Sequence, residues 1–155
     1  MKLTLEALEL SLAVGTFNER LVIQKAVCLA QAAGSTLGYH FRWYLRGPYS
    51  PALTRDAFAV VAEIAGDTDE SKRWRLDDHS MALLEKLRAL IPRDPADRPQ
   101  KLELLASVYY LIDKRQVTGQ DVDALRQKLK NFGKPFTAGK IRGALQELGE
   151  HDLIK

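Results

Sequence analysis

The chain has a single cysteine, Cys28, among its 155 residues. This excludes an intramolecular disulfide framework and a multi-cysteine zinc site. The three histidines, His40, His79 and His151, share no metal-ligand spacing, and no His-Glu-x-x-His occurs. Glycine-rich phosphate loops are absent: Gly139-Lys140 is followed by isoleucine rather than Ser or Thr. No apolar run approaches the roughly 20 residues that a bilayer span needs. The first fifteen residues carry Glu6 and Glu9 inside their apolar stretch, which does not suit a secretory signal. The expected setting is therefore a reducing cytoplasm, with no membrane contact, cofactor or metal.

What is present is enough for a core. The hydrophobic content is 46%. A chain of this length buries roughly two-thirds of its extended surface. The net charge of +3 is small, but it is unevenly placed. From Ala124 to Gln146 there are six basic residues and no Asp or Glu. A local patch of one sign matters even when the total is small.

The pattern predicts a mainly α-helical protein. A first helix is expected from Thr4 to Val14, closed by Gly15. A second, capped by Asn18, should run to Ala33 and lie at the centre of the core, because it is apolar over much of its circumference. Asp77 or Asp78 can cap a helix to Leu90; that carboxylate pair reads as a cap rather than a catalytic dyad. Pro92, Pro95 and Pro99 punctuate a linker over Ile91–Arg98. This suggests units at 1–91 and 99–155, or one compact domain. Cys28, in an apolar helix, reads as a core thiol.

The most determined segment is Tyr39–Leu53. Tyr39, Phe41, Trp43 and Leu45 alternate with His40, Arg42, Tyr44 and Arg46, which predicts a strand with one buried face. Gly47-Pro48 should break that strand, and Ser50-Pro51 should cap and open a helix to Ala65, with Leu53, Ala57, Val60, Val61 and Ile64 inward. Lys72–Leu76 is the expected pairing partner of Tyr39–Leu45, giving a small two-stranded β element. Arg42, Tyr44, Arg46, Tyr49 and Ser50 then remain as candidates for a partner surface, where Tyr and Arg are enriched.

The C-terminal part predicts three helices: Lys101–Asp113, one opening at Thr118 to Asp121 and running to Leu129, and one from Thr137 to Leu148. Helix, turn, helix, turn, helix and a terminal Leu-Ile resemble the helix-turn-helix portion of winged-helix domains. Residues 151–155 leave room for at most one strand of a wing. On that likeness Lys140 and Arg142 would enter a major groove, and Lys128, Lys130 and Lys134 would meet phosphates. The competing reading is a solvated helix face.

A wider resemblance covers about residues 17–65. Arg20, Leu21, Gln24, Lys25, Leu29 and Gln31, followed by Phe41, Trp43, Tyr44, Gly47-Pro48-Tyr49-Ser50-Pro51 and Leu53, are similar to the Panacea (SocA-like) antitoxin domain. The resemblance implies a mainly helical bacterial protein that binds a toxin or effector directly, or serves as a proteolytic adaptor, without being an enzyme. Self-association and DNA contact remain open beside it. The same residues also have a purely structural account: Gln24 and Lys25 as a polar stripe on a packed helix, and the glycine and prolines as turn residues.

Overall fold

A computed structural model describes residues 1–118 and 121–155. They form seven α-helices and one β-hairpin. The helices are α1 (Lys2–Ala7), α2 (Phe17–Ala32), α3 (Pro51–Ala65), α4 (Asp78–Arg88), α5 (Arg98–Asp113), α6 (Val122–Asn131) and α7 (Ala138–Glu150). The hairpin strands are β1 (Arg42–Tyr44) and β2 (Gly47–Tyr49). No helix among the described residues is long and apolar enough to cross a membrane.

The core is a single cluster built on α2 and α5. Val27, Leu29 and Ala30 of α2 meet Leu102, Leu105, Ala106 and Leu111 of α5 among its fully buried residues. Leu125 and Leu129 of α6 and Ile141, Ala144 and Leu148 of α7 extend the same cluster. The sequence predicts α2 at this centre. It predicts α5 as amphipathic, yet Glu103 and Ser107 on its polar face are buried as well.

Several boundaries move for local reasons. α2 starts two residues earlier than Asn18 suggests, because Thr16 and Glu19 form a reciprocal capping box. α1 stops at Ala7 rather than Val14. Glu9 adopts φ +56°, and the N–H groups of Glu9 and Leu10 return to the carbonyls of Glu6 and Leu5. That is a Schellman ending, with Leu10 packed beyond it. It is hidden in the sequence because Glu, not Gly, occupies the left-handed position. Ser50 and Thr137 cap α3 and α7 as predicted, and Asp77 caps α4. α6 is capped by Asp121 rather than Thr118; Gly119 and Gln120 of that expected cap lie outside the described residues.

The β element needs a correction. β1 pairs with β2 in an antiparallel hairpin, Trp43 opposite Pro48, and not with Lys72–Leu76. Leu45 and Arg46 make the turn, and Gly47 follows in the left-handed region at φ +83°. A glycine there closes a short hairpin loop, so the chain folds back at once. Pro48 is tolerated because in a sheet of only two strands both strands are edges. Glu70–Arg73 instead forms a 3-10 turn, and Trp74 is exposed. α3 lies near the surface: Leu53 and Ala57 are buried, whereas Ile64, expected inward, is exposed. After α7 the chain turns at Asp152 (φ +58°) and buries Leu153 and Ile154 in the core.

Candidate partner-binding site

α2 holds the hairpin through three polar side chains. Gln24 accepts from the Ser50 N–H at 2.8 Å and donates to the Ser50 carbonyl at 2.9 Å. Gln31, two turns later, accepts from the Tyr39 N–H at 2.8 Å and donates to the Tyr39 carbonyl at 2.9 Å. Between them, the Lys25 Nζ donates to the Pro48 carbonyl at 2.6 Å. Gln24 and Lys25 provide partners for buried backbone groups of Ser50 and Pro48, and Gln31 for those of the half-buried Tyr39. The polar members of the Gln24-Lys25 pattern are thus architectural, as the polar-stripe reading has it.

The far side of the hairpin is fixed by Trp43. Its ring lies 4.3 Å from that of Phe132 and 5.8 Å from that of Tyr110, which ties β1 to α5 and to the α6–α7 turn. β2 sits so close to α5 that a Cβ on Gly47 would come within 2.5 Å of the Ser107 Oγ.

This frame leaves the turn outside. Leu45 is 76% exposed, Tyr44 60% and Phe17 53%. The Arg46 guanidinium lies 5.8 Å from the Phe17 ring centroid and 3.5 Å from Glu103. The Tyr44 and Tyr49 rings are 5.5 Å apart, and the Tyr49 hydroxyl accepts from Thr54. Two cavities flank the turn. The smaller, about 300 Å³, is apolar and is walled by Phe17, Leu21, Tyr44, Leu45 and Tyr49, with Arg20, Lys25 and Arg46 beside them. The larger, about 720 Å³, runs from Arg46 past Glu103 to Lys134 and Lys140.

Of the residues expected at a partner surface, Arg42, Tyr44 and Arg46 are exposed and Tyr49 is half-buried. Ser50 is not on that surface. It is 1% exposed, its hydroxyl caps α3 and its backbone is held by Gln24. Phe17 and Leu45 join the patch unexpectedly. Leu45 looked inward by period two, but the hairpin turn takes it out of the strand. Gly47, in the left-handed region just after the turn, is the residue that could have signalled it.

The basic set divides too. Lys130, Lys140 and Arg142 are exposed, and Lys128 is half-buried with its Nζ 5.6 Å from the Phe132 centroid. Lys134 is not available to phosphates: it is buried and ion-paired with Glu103. Lys140 borders the same cavity as Arg46, so the two candidate sets meet there.

Burial governs the titration of the inner groups. It lowers the Lys25 ammonium to about 8, helped by the positive charge of Lys134. It also lowers Lys134, against the pull of Glu103. Cys28 is pushed up to about 12 by burial, which suits an inert core thiol. Compared with protein-family models, with curated proteins and with solved structures, the chain gives no match.

Proposed function

We propose that the chain is a non-enzymatic interaction protein of antitoxin or adaptor type, working in a bacterial cytoplasm, that docks a protein partner at the hairpin turn. One observation carries the reading: Tyr44, Leu45 and Arg46, at the tip of a hairpin that Gln24, Lys25 and Trp43 hold, stand exposed beside Phe17 at the start of α2. Tyr and Arg dominate interface hot spots, and apolar anchors beside cavities are where they act. A fixed scaffold also lowers the ordering cost of binding. Grouped exposed apolar side chains mark interaction sites. The Panacea-like residue pattern agrees with this role.

The test is affinity purification from the native host with the wild type and with a Tyr44→Ala, Leu45→Ser, Arg46→Ala variant. The expected result is one protein recovered in stoichiometric amount with the wild type and depleted about tenfold or more with the variant. Equal recovery would overturn the assignment.

A second reading is DNA binding through Lys128, Lys130, Lys140 and Arg142 on the winged-helix-like α5–α7 unit. Its support is that none of these four has an acidic partner within ion-pair distance among the described residues. Phosphate contacts of this kind would make affinity fall steeply with salt. A gel-shift titration decides it: no salt-sensitive binding to a duplex at micromolar protein removes this reading.

A further inference from the structure

We infer that the smaller cavity receives the last residue of the partner polypeptide, its apolar side chain filling the cavity and its terminal carboxylate facing the ammonium of Lys25. The inference rests on the docking reading above. The first argument is charge. Arg20, Lys25 and Arg46 line the cavity, and no Asp or Glu does. Lys25 is only 2% exposed, yet its Nζ meets one acceptor, the Pro48 carbonyl. An ammonium has three donors and takes a counter-charge when buried. The contrast with Lys134 is direct, because that buried lysine has Glu103. Lys25 has no carboxylate within ion-pair distance among the described residues; Glu103, engaged by Lys134, acts on it only from further away.

The second argument is size and chemistry. About 300 Å³ is the lower end of ligand cavities and suits a single residue rather than a folded segment. Aromatic and aliphatic walls suit an apolar side chain. A chain end carries that side chain and a carboxylate on the same Cα. Inside an extended segment, an acidic residue and its apolar neighbour point to opposite faces, so they would not enter together. Capture of a terminal carboxylate is an established mode of peptide recognition.

The test uses the full ¹⁵N-labelled chain at pH 7, titrated with N-acetylphenylalanine, its carboxamide, and a Gly-Ser-Gly-Ser-Gly-Phe peptide with a free C-terminus. The acid and the peptide should saturably shift the amides of Leu45, Gly47 and Tyr49. The carboxamide should bind about tenfold or more weakly, the usual weight of a charge-assisted hydrogen bond. Lys25→Met should abolish that preference while keeping the folded spectrum; should it fail to fold, Arg46→Gln at the exposed rim should reduce the preference instead. Equal binding of acid and carboxamide, or no shift with either, overturns the inference and leaves docking at the turn standing. Binding of the single residue but not of the peptide overturns it in favour of a small free acid. Loss of the host partner on mutating the turn is a separate readout, so failure of the docking reading stays distinguishable.

Discussion

The two halves of the hairpin differ in almost every physical respect. β2 is buried: Lys25 holds the Pro48 carbonyl, and Gln24 holds both backbone groups of Ser50, the next residue. The turn, immediately before β2 in the chain, carries the most exposed leucine among the described residues. The polar groups of α2 immobilise one half so that the other can present apolar side chains without collapsing onto the core. Exposure at the turn is thus a product of rigidity beneath it.

The largest expected break in this arrangement is Gly47→Ala. It forces a side chain into the left-handed region and against Ser107, so it should destabilise by about 4 kcal/mol in urea unfolding. A loss under about 1 kcal/mol would mean that β2 is not clamped against α5 as described.

Next comes pH. Lys25 titrates near 8 in the folded state and at about 10.5 when unfolded. The unfolded chain therefore binds more protons between these values, and stability rises with pH across the window. Relative to Lys25→Met, the wild type should gain about 3 kcal/mol from pH 7 to pH 10.5. The comparison with that variant cancels Tyr39 and Tyr109, whose raised values act in the opposite direction; Cys28, which the Lys25 charge holds down, moves further up in the variant. A pH-independent difference between the two proteins would show that Lys25 is not buried as an ammonium.

Gln24→Ala leaves the buried Ser50 N–H unpaired, while the Ser50 carbonyl keeps the Thr54 N–H, and should cost about 2 kcal/mol by the same measurement. The smallest effects sharpen the contrast: Tyr44→Ala should cost less than about 1 kcal/mol, since it loses only the ring pair with Tyr49, and Leu45→Ser should change stability by less than about 0.5 kcal/mol, since Leu45 lies on the exposed turn. A larger loss would place these side chains in the fold rather than on offer to a partner.

Much of the fold was legible. The capping residues Ser50, Asp77 and Thr137 act locally, and so did their signals. The central place of α2 followed from its apolar circumference. The strand pairing was not legible, because period two in Tyr39–Leu45 and alternation at Lys72–Leu76 say nothing about which strand pairs with which. Gly47 resolved it, through a backbone angle that the residue type permits but does not require. Of the candidate residues, the exposure of Arg42, Tyr44 and Arg46 followed from spacing, and Tyr49 is half-buried. Phe17 and Leu45 were missed, since one belongs to a different element and the other leaves the strand at the turn.

The helical class, the proline-set corner and the polar pattern Gln24, Lys25, Gln31 follow from local backbone preferences and periodicity, which a linear chain carries. That these polar groups clamp the backbone of the hairpin and its flanks, that Ser50 and Lys134 are withdrawn from the surface and that Leu45 is presented on it depend on packing. Burial is set by what packs from distant parts of the chain, and no local pattern encodes that.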